Sequence, residues 1–208
     1  METDILDEKP LKNQTIISIY QRRAVRKYEI KPVTKKVIEQ LLQAGRMAPS
    51  AMNRQPWKFY VVTNTNLIHQ LSRDVSKKIS SETINKGVKG ILEAASGLLH
   101  FAHSFNFSTF KDPVFYGAPL VIFITSPVNN EWAKLDIGMC AQNMMLAAYS
   151  LGLDSCPVGF GKFVENTEHY PELKIPPNER IELSVIFGYG DESPKVHKRE
   201  TNNVTYIN

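Results

Sequence analysis

The stretch from Ile137 to Leu151 is apolar on nearly every side of a helix, with Ile137, Met139, Ala141, Met144, Met145, Leu146, Ala147, Ala148 and Leu151 spread around the 3.6-residue turn. A helix without a polar face cannot lie on a surface. It must form the buried centre of the protein or of a subunit interface. Asp136 is placed to cap it and Gly152 to end it. With 208 residues, 42% of them hydrophobic and 22% charged, the chain can grow one ordinary globular domain around such a helix.

The remaining elements follow from pattern. Residues 1–13 read as a flexible acidic tail, and residues 14–208 as a single domain. Thr15 to Gln21 reads as a short helix that delivers a basic cluster at its end. Thr34 caps a helix running to about Arg46, whose apolar residues Val37, Ile38, Leu41 and Leu42 fall at helical spacing. Phe59 to Val62 is a strand, and two helices are expected from Asn66 to about Ile79 and from Glu82 to about His103. Pro119 to Thr125 is a continuous branched apolar run, which suits a strand covered on both faces. Ile181 to Phe187 is the last strand. Helices alternate with a few strands, so the class is α+β, a central sheet flanked by helices.

Several function classes are set aside on composition. A net charge of +4 is only mildly basic and too dispersed for nucleic acid, though it favours small anionic ligands. Cys140 and Cys156 have no CxxC spacing, and His100 and His103 have no carboxylate or cysteine partner, so no metal site is expected. The acidic start Met1–Glu8 lacks an apolar signal core, and no apolar run approaches a membrane span, so a cytoplasmic location is the default expectation.

Two runs carry the chemistry. Arg22-Arg23-Ala24-Val25-Arg26 sets three guanidinium groups in five residues, a density suited to gripping a doubly charged phosphate. Pro49-Ser50-Ala51-Met52-Asn53-Arg54-Gln55-Pro56-Trp57 is a polar, proline-bounded loop whose amides, Asn53 and Gln55, can donate and accept along the edge of a planar heterocycle. An Asx-type turn before the strand is the other reading of Asn53. Met52 and Arg54 suit solvent, and Trp57 suits packing. Pro157-Val158-Gly159-Phe160-Gly161 follows a strand, and its glycines allow backbone to approach a flat ring, or simply to turn. The aromatic residues between His100 and Tyr116 suit either a lid over such a ring or a core.

Taken in order with Asp136–Leu153 and the basic tail ending at Arg199, these motifs resemble the nitroreductase family of FMN-dependent oxidoreductases, and the resemblance covers roughly residues 16–199. It implies a central mixed or antiparallel sheet in an intertwined homodimer, with FMN at the interface and NADH or NADPH as co-substrate. By position, Arg22, Arg23 and Arg26 would hold the ribityl phosphate, joined by His197 and Arg199, with Lys195 a nearby alternative. Ala24 stands where a serine is common, so one hydroxyl contact is missing. Pro49, Ser50, Ala51, Asn53 and Gln55 would meet the ring edge of the other subunit's cofactor, and Pro157, Val158 and Gly159 would lie beside the ring, with Gly161 a further close contact. Lys111 is a less fixed candidate near the ring. Many relatives have an acidic residue near Phe160. The implied activity is hydride transfer from NAD(P)H to a nitroaromatic, quinone or similar acceptor by a ping-pong mechanism, with no catalytic side chain required. A specialised flavin reaction (dehalogenation or flavin cleavage) and a non-catalytic flavin-binding protein are the alternatives.

Overall fold

The computed structural model describes residues 13–94 and 112–207. Residues 1–12, the histidines His100 and His103, Lys111 and the aromatics from Phe101 to Phe110 lie outside the described residues. Five of the expected elements appear close to their expected bounds: α1 (Gln14–Gln21), α2 (Lys35–Arg46), β1 (Lys58–Val62), β2 (Leu120–Pro127) and β4 (Glu179–Gly188). Asn13 caps α1, its side chain accepting from Thr15 N–H and Ile16 N–H, and Thr34 caps α2 by accepting from Val37 N–H. The two helices expected after β1 are instead one, α3 (Thr65–Ala94). Ser80, Ser81 and Thr83 are weak helix formers, but no proline intervenes, and such residues cost only a few tenths of a kcal/mol each against alanine.

The apolar helix is α4 (Ala133–Ser150), followed by β3 (Asp154–Val158). Asp136 is not its cap. Trp132 precedes the first turn, positioned by its own N–H to Asn130 Oδ1 at 3.1 Å, so the helix starts one turn earlier and Asp136 lies inside it. Favourable helix formers at Ala133, Lys134 and Leu135 account for the extension.

The strands form one antiparallel sheet in the order β1-β2-β4-β3. Strand β2 is buried along nearly its whole length, and its side chains divide by alternation. Leu120, Ile122 and Ile124 enter a core with α2 and α4, while Val121 and Phe123 enter a second core with α3 residues Ile68, Leu71 and Val75. The result is a helix–sheet–helix sandwich. Phe115 and Tyr116 belong to the second core, Phe115 packing edge-on against Phe123 with ring centroids 5.9 Å apart, which removes these two aromatics from any lid.

Helix α2 lies against α4 at a close approach. A Cβ on Gly45 would fall 2.9 Å from Met144 Cγ, and Asn143 Nδ2 donates to Ala44 O at 3.3 Å. Glu179, buried at the start of β4, accepts from Lys58 and Tyr60 of β1 and from Thr125 of β2, and so clamps three strands at one end of the sheet. Among the described residues, no helix is long and apolar enough to cross a membrane.

Candidate functional site

Helix α1 ends at Gln21, whose side chain accepts from the Tyr149 hydroxyl of α4 at 2.8 Å. The chain then runs beside β3, with Ala24 bridged to Ser155. This delivers Arg22 next to Cys156. The guanidinium of Arg22 is half-buried, its Nε has no hydrogen-bond partner, and its pKa is lowered, first by burial and then by the charges of Arg23 and Arg199, against the opposing pull of Cys156. Arg23 folds back on the helix end, Nη1 donating to Tyr20 O at 2.6 Å and to Arg22 O at 2.7 Å. Arg199 reaches the cluster from the exposed carboxy-terminal tail, on which His197 and Lys195 also stand.

Arg26 is directed differently. Its Nη1 donates to Ala24 O at 3.4 Å, and its side chain stands close enough to the Tyr116 hydroxyl and the Cys156 thiol to influence both, which places it towards the second core. Burial pushes the Tyr116 phenol up to about 12 and also raises the Cys156 thiol, which the Arg26 and Arg22 charges partly counter. Tyr116 and Cys156 lie far from Arg26 in sequence, and no local pattern announces them. The like-charged guanidinium groups of Arg22, Arg23 and Arg199, with a buried N–H left over on Arg22, make a cradle that suits a dianion.

Pro157 and Val158 close β3, and Gly159 opens a 3-10 stretch, Gly159–Asn166. Gly159 is exposed, and a Cβ placed on it would meet nothing within 4 Å, so open space lies along this backbone. Gly161 serves packing instead: it is buried, and a Cβ there would stand 1.9 Å from Ser184 Oγ. Phe160 also turns inward, buried against Phe163.

The amide loop leaves the end of α2 and passes over the first turns of α4. Met52, Asn53 and Gln55 all have positive φ (52°, 53° and 47°), a region disfavoured for residues with a Cβ and most accessible to asparagine. Ser50 organises the turn, its carbonyl accepting from Asn53 N–H at 3.0 Å and its hydroxyl from Gln55 N–H at 2.9 Å. The Asn53 and Gln55 amides, both exposed, bond to each other at 3.1 Å, so the Asn53 side chain does not form the backbone turn that was the other reading. Pro49 is exposed, Ser50 and Ala51 are half-buried, Met52 and Arg54 face solvent, and Trp57 is buried in the first core. Ala51 N–H donates to Asp136 Oδ1 at 3.2 Å, a contact the sequence reading missed by treating Asp136 as a cap.

The basic cluster and the amide loop therefore stand towards opposite ends of α4. Tyr149, beside the cluster, and Asp136, beside the loop, are separated by about 20 Å of helix at 1.5 Å per residue.

The model of the Nitroreductase family matches residues 19–189 of this chain. A 4-nitrobenzoate reductase of Pseudomonas putida is 26% identical over 204 residues, with 86% of each chain covered. A Staphylococcus epidermidis protein with the provisional name NAD(P)H nitroreductase is 28% identical over 220 residues, covering 94% of this chain and 98% of that one. The solved structure of a Bacteroides fragilis nitroreductase with bound FMN superposes with a TM-score of 0.71 at 25% identity, covering 94% of this chain and 100% of that chain.

Proposed function

From the premise that the chain belongs to the nitroreductase family, we propose that it is an FMN-dependent oxidoreductase that passes hydride from NADH or NADPH to a nitroaromatic, quinone or similar small acceptor. The observation that carries the reading is Arg22: a half-buried guanidinium with an unpartnered Nε, crowded by Arg23 and Arg199, is a poor arrangement unless an anion completes it. A ribityl phosphate is such an anion, and the family relationship names it.

In this reading Arg22, Arg23 and Arg199 hold the phosphate, with His197 approaching from the same tail, and Arg26, turned towards Tyr116 and Cys156, adds its charge from behind them. Ala24 contributes backbone only, and the hydroxyl it lacks is a loss of about 0.5–1.5 kcal/mol. Pro157, Val158 and Gly159 offer backbone beside the ring, where the open face of Gly159 leaves room. The flavin supplies the redox chemistry when bound, taking hydride from the nucleotide and giving it to the acceptor in two half-reactions. The side chains bind and orient, and none needs to act as nucleophile.

The amides belong to a second site. The pyrimidine edge of a flavin is separated from its phosphate by the ribityl chain and the width of one ring, whereas Asn53 and Gln55 stand most of the length of α4 from Arg22. Pro49, Ser50, Ala51, Asn53 and Gln55 therefore serve the cofactor of a second copy, which supports a homodimer with FMN at the interface. Exposed apolar side chains at Ile19, Tyr20, Trp132 and Leu135 give that copy a surface to cover.

An absorbance spectrum of the purified protein, followed anaerobically on adding NADH and then NADPH, tests the proposal. Flavin bands that bleach within seconds are expected. A colourless protein that takes up no added FMN overturns the reading, and bound flavin that neither nucleotide reduces overturns the enzymatic part of it.

A further inference from the structure

We infer that Asp136 is a positioning residue for the amide loop, holding Ala51 so that Asn53 and Gln55 are presented to the ring edge; the inference rests on the flavin reading above. Asp136 is only 2% exposed, although it is an acid in a predominantly apolar helix. Its Oδ1 accepts from Ala51 N–H at 3.2 Å, and its Oδ2 is buried with no hydrogen-bond partner. A buried acid with one oxygen bare is costly, and packing alone would be served as well by an apolar side chain, which offers Ala51 N–H no acceptor. Its place in the first turn of α4 offsets part of that cost, because the unpaired amides of a helix start carry partial positive charge.

The loop needs such an anchor. Three of the residues from Met52 to Gln55 are held at positive φ. The bonds through Ser50 and between the two amides are all internal to the loop and fix its shape, not its location. Among the described residues, the Ala51–Asp136 bond is the hydrogen bond that ties residues 50–55 to another element. It acts on the residue just before the left-handed run, where a small rotation would swing both amides. The same helix sets the path into the loop, since about two turns further on Asn143 holds the Ala44 carbonyl and Met144 abuts Gly45. One face of α4 thus places the end of α2, and Asp136 extends that registration to the amides.

The test uses the full-length protein and removes the bond from either end. Asp136→Ala deletes the acceptor, Asp136→Asn keeps an acceptor oxygen of the same reach, and Ala51→Pro deletes the donor at a position whose predecessor, Ser50, is already extended as a proline requires (φ −144°, ψ 154°). Asp136→Ala should weaken FMN binding roughly tenfold, Asp136→Asn should stay within about threefold of the parent, and Asp136→Ala with Ala51→Pro should be no worse than either alone. Hydrogen exchange at residues 50–55, read in the FMN-free protein, should quicken in Asp136→Ala and Ala51→Pro but not in Asp136→Asn. Parent-like FMN affinity and exchange in Asp136→Ala overturn the inference, as does an Asp136→Asn variant as impaired as Asp136→Ala. Should Asp136→Ala fail to fold, the other two variants decide by the same criteria. If the parent itself takes up no FMN, the flavin reading falls, and the exchange measurement still upholds or overturns the anchoring of the loop.

Discussion

Arg22 is unusual in that its surroundings oppose its charge. Burial, Arg23 and Arg199 all lower its pKa, and its Nε is left without an acceptor, so the ligand-free fold gains little from keeping a guanidinium there. A residue of this kind separates binding from stability. Arg22→Ala should weaken FMN binding by about 10- to 100-fold, the range for a charge-assisted hydrogen bond, while leaving the melting temperature of the FMN-free protein unchanged or slightly higher. Arg22→Lys should restore only part of the affinity, because an ammonium lacks the planar fork that meets two phosphate oxygens. Fluorescence titration of FMN alongside thermal melts of the apoprotein checks both halves, and a variant that loses stability but keeps affinity would assign Arg22 to the fold instead. The candidate site was legible at this scale wherever side-chain chemistry alone marks a position, as for the arginine run and the paired amides. It was not legible where a distant partner decides the direction of a side chain. Arg26 turns inward because Cys156 and Tyr116 wait there, and Gly161 is a glycine because Ser184 fills the space a Cβ would take.

Among the elements, β1, β2 and β4 are fastened at one end by Glu179. Burial alone would raise its pKa, but the hydrogen bonds from Lys58, Thr125 and Tyr60 outweigh that and hold it below the usual value. On the donor side, burial and the bond to Glu179 push Tyr60 up to about 12. A carboxylate with a depressed folded pKa contributes stability that is present above its unfolded pKa, near 4.5, and is lost as pH falls through the folded value. Glu179→Gln should therefore lower stability by about 1–3 kcal/mol at neutral pH, with the gap to the parent closing on acidification below pH ~4. Urea unfolding across the acid range measures this, and a gap that does not narrow would show that charge is not what the clamp uses. Strand β2 was readable in sequence because it is covered on both faces and so needs no alternation. Boundaries set by weak local preferences were harder to read: α3 continues through Ser80 and Ser81, and α4 begins a turn before Asp136. In both cases the helix continues as far as its neighbours allow, and a single polar residue does not stop it.

For the whole molecule, the apolar helix left open whether its surroundings were core or interface, and α4 has the character of both. Its inner face, with Ile137, Cys140, Ala141, Met144 and Ala148, is fully buried against α2 and the sheet, while Leu135 on the outer side is 60% exposed and Trp132 just before it 55%. Ile19 and Tyr20 on α1 are also uncovered, as are Val204, Tyr206 and Ile207 at the end of the tail. A contiguous covering of such residues by a second copy would supply hydrophobic stabilisation of about 25 cal/mol per Å² removed from water, and would bring the amide loop of one chain to the arginine cluster of another. Leu135→Glu isolates that step, since in a single chain the new carboxylate would sit in solvent at almost no cost. The parent should sediment at twice its 23.6 kDa chain mass and melt at a temperature that rises with protein concentration. Leu135→Glu should sediment at the mass of one chain, keep its far-ultraviolet circular dichroism and lose FMN together with the dimer. Loss of FMN would then follow from the separation of the amides from the arginines, with neither group altered. A monomeric parent that still holds FMN would require both halves of the site to come from one chain, which the ~20 Å of α4 between Asp136 and Tyr149 opposes.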